Sequence, residues 1–451
     1  MLTTLDIDLV NQHAAELLDR NSWPRERLVA YQRGQLEKAL QHAVEASSYY
    51  KEVAGELVAR QAPLEDYPVL TKRMLMANFD QITTDPRLTR ISIERHLDSP
   101  QAGSLFLGEY RTAATGGTSG ERGVFVYNGQ AWLSVIANIM RLQRMLGVLP
   151  KTRAIVIGAP SPIHLSKRFN AELRASRPDA PELDVTMPVS HVVEALNQYQ
   201  PEVIITYPSF LRVLARKQQS GRLRISPRML RSGAETLTQD VRDLVRSAWN
   251  APVANGYAAT EVGVMGQECA HIAGVHLAED LSLYEIVDEH NRPVPVGVAG
   301  ARMLVTTLTN PTLPLIRYEL TDIVTLAAGS CPCGSPLVRI AAIEGRREEV
   351  LHFPKKGGGV IDVHAIRLHS PLIGTEGVQQ FQFAQLVDGV EITISVLPEF
   401  DREVIRQKIE HVIRTVLENL DTAPVRVEVT VVDRIERAGT GAKEKLVTKK
   451  S

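Results

Sequence analysis

Between about residues 111 and 310 the chain alternates short β-rich runs with helix-patterned stretches, and this alternation restricts the fold more than any other feature. The runs TRAIVIGAP (152–160), VIITYP (203–208) and MLVTTL (303–308) are apolar and rich in β-branched residues. In contrast, QAWLSVIANIMRLQRML (130–146) repeats its apolar residues at helical spacing. Strands that are apolar along their whole length need cover on both faces, and intervening helices supply it. The pattern therefore predicts an α/β architecture with mixed, largely buried sheets and helices.

With 451 residues the chain is long enough for a large domain and a smaller one. Helical spacing runs from Arg25 to Tyr50, and VLTKRMLMANFDQI (69–82) predicts a second helix with Thr71 as N-cap. After Gly345 a charged GRREEV segment leads into the Gly-rich turn KKGGGVID, which places a domain boundary between 345 and 346. The large N-terminal domain is thus 1–345, and 346–451 forms a small α+β domain. In the latter, VQQFQFAQLVDGVEITISVL reads as two strands around Asp388-Gly389, followed by a helix from about Asp401 to Leu420 and a strand from Val425 to Val432.

Charge excludes some function classes. Lys plus Arg total 51 against 52 Asp plus Glu, so no global attraction to nucleic acid or to an anionic membrane is expected. Asp6, Asp8, Glu16 and Asp19 interrupt the apolar stretch a signal peptide needs, and no run approaches about 18 apolar residues. A cytoplasmic protein is the expectation. The three cysteines are too few for a disulfide framework, so their placement, all between 269 and 333, matters more than their number.

The segment TAATGGTSGERGVFVYN (112–128) has the composition of a phosphate cradle. Gly116, Gly117 and Gly120 allow close backbone approach, while Thr115, Thr118 and Ser119 bring hydroxyl donors. No Gly-Lys-Ser/Thr follows, which excludes a Walker A loop, and a plain flexible turn has the same composition.

Taken in order, this loop, Gly256-Tyr257-Ala258-Ala259-Thr260-Glu261, Tyr318-Glu319-Leu320-Thr321-Asp322, Gly345-Arg346 and a Gly-rich C-terminal loop carrying Lys443 resemble the adenylate-forming superfamily. PLIRYELTDIV, CPCG (331–334), ASSYYKE and PVLTK are most similar to its phenylacetate-CoA ligase branch, and the resemblance spans nearly the whole chain. It implies an ATP-dependent acid–CoA ligase that works through an acyl-adenylate, with a mobile C-terminal domain.

By this resemblance Tyr257 lies against adenine, with Gly256, Gly233, Ala234 and Glu235 around the base. Thr260 contacts the α-phosphate, Glu261 holds Mg2+, a hard cation that prefers oxygen ligands, and Asp322 accepts from the ribose hydroxyls. Arg346 reaches the nucleotide from the hinge, where Glu348 and Glu349 replace the family's two aspartates. Lys443 is the catalytic lysine that bridges substrate carboxylate and α-phosphate, although Ala442 replaces the family's preceding glycine and Lys445 is a rival. Tyr207, Pro208 and Ala234 are the acyl-pocket candidates, and branch membership suggests an aryl or arylacetic acid. Arg141, Arg144 and Lys167 are either contacts for the phosphates of coenzyme A or scattered surface cations.

Cys269, Cys331 and Cys333 with one histidine make four soft ligands, enough for a closed structural zinc site. Three unligated thiols are the alternative. The branch spacing favours His276 over His271. Two rival functions stay open. One is adenylation with delivery to a carrier protein or an amine; the other is a non-catalytic nucleotide-binding relic, motivated by Glu348, Glu349 and Ala442. A homodimer is implied by the branch alone.

Overall fold

The computed structural model describes residues 6–115, 122–149, 151–174, 177, 179–365, 367–368, 372, 375, 377–435 and 447–449. The predicted loop residues Gly116, Gly117, Thr118, Ser119 and Gly120, and the lysines Lys443 and Lys445, lie outside this set. Among the described residues no helix is long and apolar enough to cross a membrane.

The centre is a nine-stranded mixed sheet in the order Asp322–Leu326, Arg339–Arg346, Val275–Leu277, Gly263–Glu268, Val253–Ala259, Met229–Gly233, Val203–Thr206, Ala154–Gly158, Leu183–Asp184. From Val253–Ala259 to Leu183–Asp184 neighbouring strands are parallel, and the other half is antiparallel. Crossover helices Val189–Tyr199, Pro208–Gln219 and Gln239–Trp249 cover one face, where Ile155, Ile157, Ile204 and Leu230 pack with Leu196, Leu211 and Val245. Successive strand residues point to opposite faces, so Val156, Ile205 and Arg231, cross-strand partners of one another, belong to the other face.

Helix Gly129–Met145 is buried nearly all round. Asn128 caps it, its Oδ1 accepting from Ala131 N at 2.9 Å. Because the helix is interior, its polar residues need partners. Asn138 donates to Val264 O at 2.7 Å, and Arg141, with no exposed surface, holds Asp280 at 2.9 Å. Arg20 reaches the same carboxylate at 3.4 Å, while Arg25 forks onto Glu279 at 2.7 and 3.0 Å, tying the N-terminal helices Ile7–Arg20 and Arg25–Ala46 to this turn. Arg141 is therefore scaffold, not a cation displayed for coenzyme A. Arg144 bonds Asn11 and Lys167 bonds Glu182.

Past Arg346 the chain builds a hairpin, Val350–Pro354 with Val360–His364, then a four-stranded sheet ordered Arg426–Val432, Gly389–Val396, Val378–Leu386, Val447–Lys449. Helix Arg402–Asn419, capped by Asp401, buries Ile405, Ile409, Ile413 and Leu417 at a near-four-residue repeat, each contributing about 1.5–3 kcal/mol. This unit meets the crossover helices directly. Arg216 donates to Val378 O at 2.9 Å and Arg212 to Gln379 O at 3.1 Å, with the Arg212 guanidinium 5.5 Å from the Phe381 ring centre.

Candidate active site

The sequence motifs converge where the parallel strands end, the usual place for a ligand crevice in such sheets. Tyr257 lies in strand Val253–Ala259, with its hydroxyl buried and without a hydrogen-bond partner among the described residues. Burial, and then the Asp322 carboxylate, push its ionisation well above the ordinary phenol range. Asp322 is the cross-strand partner of Arg346, whose Nε stands 3.6 Å from Asp322 Oδ1. Tyr257, Asp322 and Arg346 thus form one cluster, although 65 and 24 residues of sequence separate them.

Arg346 is the last residue of the nine-stranded sheet and enters a short 3-10 turn, Arg347–Glu349. Glu349 accepts from the Arg346 backbone N at 3.3 Å and so closes the turn. Gly345 has φ +113°, and a Cβ there would stand 2.2 Å from the His364 ring, so the Gly-Arg pair is fixed by both conformation and space.

Thr260 and Glu261 follow the same strand. Tyr127 donates to Thr260 O at 2.7 Å. Tyr127 and Tyr318 are both buried beside Glu261, and desolvation followed by its charge raises both hydroxyls. Glu261 lines a cavity of about 20 Å³ with Tyr127, Ser134, Asn138, Tyr284 and Asn310, room for a water molecule. Asn310 donates to Val126 O at 3.0 Å, which leaves its Oδ1 buried and unpartnered among the described residues. Sequence reasoning did not single out Asn310. Its asparagine in a Thr-Asn-Pro-Thr turn gave no signal beyond the turn itself.

The predicted phosphate loop joins two antiparallel strands, Arg111–Ala114 and Val124–Tyr127, in which Ala114 pairs Val124. At its base Thr115 Oγ1 accepts from Gly123 N at 2.9 Å and from Lys72 Nζ at 3.0 Å. Lys72, the lysine of PVLTK, therefore brings a cation to the loop, a role that its helix-start position did not reveal.

Glu235 accepts from Ser209 N at 3.0 Å and Ser209 Oγ at 3.1 Å, which commits its charge to the N-terminus of helix Pro208–Gln219. Ala234, at φ +68°, turns the chain between Gly233 and Glu235. Tyr207 and Pro208 are buried, and Tyr207 packs into the crossover-helix layer with Phe210 and Leu211.

Cys269, His276, Cys331 and Cys333 form a separate cluster, their ligand atoms all within 4.8 Å of one another. Cys269 Sγ is 3.6 Å from Cys331 Sγ, and Cys333 Sγ is 3.5 Å from His276 Nε2. A disulfide needs about 2.05 Å, whereas a tetrahedron with bonds of about 2.0–2.3 Å has edges of roughly 3.5–3.8 Å. The donor set and its spacing fit zinc. His276, not His271, takes the histidine corner.

No family model matches the chain. A phenylacetate-coenzyme A ligase of Thermus thermophilus is 30% identical over 223 residues, 47% of this chain and 49% of that protein, so the match spans about half the length of that relative. Protein CapK of Staphylococcus aureus is 24% identical over 75% of this chain and 74% of its own. A 2-hydroxyisobutyryl-CoA ligase in its postadenylation state, with its acyl-AMP, superposes with a TM-score of 0.73 at 19% identity, covering 96% of this chain and 91% of that one. The same ligase in its thioesterification state gives 0.61. In sequence this chain is similar to phenylacetate-coenzyme A ligases, and its fold is that of the two-domain adenylate-forming ligases.

Proposed function

We propose that the protein is an ATP-dependent carboxylic acid–coenzyme A ligase acting on an aryl or arylacetic acid. The observation that carries this reading is the convergence of Tyr257, Asp322 and Arg346 beside Thr260 and Glu261. Together they offer an aromatic wall, a carboxylate for ribose hydroxyls, a guanidinium and an oxygen ligand in one crevice.

In the first half-reaction the substrate carboxylate attacks the α-phosphorus and pyrophosphate leaves. Charge accumulates at the α-phosphate, and fixed donors aimed there lower the barrier. Thr260 and Lys443 are the residues assigned to that phosphate, Lys72 and the Thr115 loop to the departing polyphosphate, and Glu261 with Asn310 to magnesium, which supplies charge neutralisation. Asp322 accepts from the ribose with the geometry of an ionised carboxylate. In the second half-reaction the thiol of coenzyme A attacks the mixed anhydride and AMP leaves. The unit after residue 345 then has to rotate, exposing the anhydride to thiol while excluding water. The two states of the 2-hydroxyisobutyryl-CoA ligase support such a rotation, and this chain superposes better on the postadenylation one.

The cysteine–histidine cluster holds a structural zinc ion in this reading. All four ligand positions come from protein, which leaves none for water activation. Acid-dependent exchange of labelled pyrophosphate into ATP, measured over aryl, arylacetic and aliphatic acids, tests the proposal. Stimulation by one acid class is expected, and ATP binding without exchange under any acid would overturn it in favour of a nucleotide-binding relic.

A further inference from the structure

Arg231 lies in the middle of the parallel half of the sheet and has no hydrogen-bond or ion-pair partner among the described residues. It belongs to strand Met229–Gly233, with Ile205 and Ala254 as its neighbours across the two adjoining strands. Its guanidinium runs along the sheet toward the motif Gly256-Tyr257. A Cβ placed on Gly256 would stand 2.8 Å from Arg231 Nη2 and 3.1 Å from Nε. Glycine at 256 is therefore what leaves the guanidinium its place.

Nε is buried with no hydrogen-bond partner, and no carboxylate lies in ion-pair distance among the described residues. Burial alone, uncompensated by any anion, pulls this group down to about 10. Leaving a guanidinium nitrogen buried without an acceptor is costly, which is why such groups are usually paired in folded proteins. A structural role would have supplied the anion from the fold, as Asp280 does for Arg141.

The surroundings show from which side an anion can reach the group. On the sheet face that carries Arg231, Leu146, Val148, Ala154, Val203, Met229 and Ala254 close an apolar floor near the strand beginnings. Toward the strand ends the same face opens, and Val156, Ile205 and Arg231 are all only partly buried. The opening leads to Gly256, next to the Tyr257 and Thr260 of the reaction crevice. The polyphosphate end, in contrast, is served by Lys72 and the Thr115 hairpin.

We propose that Arg231 determines specificity by receiving a second carboxylate on the acid substrate, remote from the carboxylate that is adenylated. A guanidinium fork matches a carboxylate with two parallel hydrogen bonds, and the partly apolar walls suit the carbon frame between the two acid groups. This inference rests on the acyl-adenylate reading and narrows its substrate to dicarboxylic acids, on an aryl frame where that reading holds in full.

Acid-dependent ATP–pyrophosphate exchange on matched pairs tests it: benzoate against the benzenedicarboxylates, phenylacetate against the (carboxymethyl)benzoates, and butyrate against glutarate. The wild-type protein is expected to favour the dicarboxylate of its best pair by roughly ten- to a hundredfold in kcat/KM. Arg231→Met removes that preference and raises the KM for the dicarboxylate, whereas Arg231→Lys retains part of it. Because no fold partner is orphaned, Arg231→Met is expected to keep its thermal midpoint, and a large drop would mark Arg231 as structural and overturn the inference. Exchange with monocarboxylates at equal or better efficiency overturns it while leaving the ligase reading intact. A uniform rise in KM for ATP in Arg231→Met, whatever the acid, would assign the guanidinium to nucleotide phosphate instead. Absence of exchange with every acid, with ATP bound, removes both readings.

Discussion

Arg346 Nε stands 3.6 Å from Asp322 Oδ1, and the two residues are also cross-strand partners at the edge of the large sheet. The carboxylate assigned to ribose is therefore held by the residue through which the chain leaves that sheet. In the proposed reading, nucleotide contact and the direction taken by the chain after the sheet are joined at this pair.

Asp322→Asn keeps the shape of the side chain but removes the carboxylate that faces Arg346 and is proposed to receive the ribose hydroxyls. Hydrogen bonds to a charged group contribute about 1.5–3 kcal/mol, so KM for ATP is expected to rise by roughly ten- to a hundredfold. Acid KM should change little. Initial-rate kinetics with each substrate varied in turn checks this, and an unchanged KM for ATP contradicts the ribose assignment.

The metal cluster predicts near-stoichiometric zinc in the purified protein by elemental analysis. Cys331→Ser removes one corner of the tetrahedron and is expected to shed the ion and lower the thermal midpoint by several degrees. A protein that is metal-free, folded and equally stable would refute the zinc site.

Arg141→Ala leaves the Asp280 carboxylate buried with only the longer Arg20 contact. Breaking one side of a buried pair costs about 3–5 kcal/mol, which a urea denaturation midpoint reports directly. Turnover per folded molecule should be nearly unchanged, and a selective loss of coenzyme A affinity would restore the cation to a substrate role.

Lys443→Ala is expected to abolish adenylation with a much smaller effect on ATP binding, and Lys445→Ala to spare it. The reverse result, a dead Lys445→Ala beside an active Lys443→Ala, would shift the alignment of the C-terminal loop by two residues.

Much of this arrangement was legible in the sequence because it is written in local patterns. The β-branched runs became strands Ala154–Gly158, Val203–Thr206 and Arg302–Thr307, and the helix-spaced run became Gly129–Met145. The C-terminal strand–turn–strand–helix–strand order also matches, with Asp401 as the cap. What escaped was non-local or carried by one side chain. The expected helix through Tyr50 breaks at Ser47, whose hydroxyl caps a new helix by accepting from Tyr50 N. The acidic residues near the N-terminus, read only as excluding a signal peptide, cap or belong to helix Ile7–Arg20, with Asp6 as its N-cap and Asp8, Glu16 and Asp19 within it. Arg141 looked like any helical cation because its partner lies 139 residues away. Arg231 was not singled out from the sequence, and only the neighbouring strand reveals the glycine that makes space for it.

The central claim is that the acid is activated as its adenylate, and the fate of the carboxylate oxygen tests it most directly. With the acid labelled by heavy oxygen in its carboxylate, one turnover in the presence of ATP and coenzyme A should deliver one labelled oxygen to AMP, alongside equimolar pyrophosphate and acyl-CoA. Unlabelled AMP, or label appearing instead in inorganic phosphate with ADP as co-product, would contradict the account.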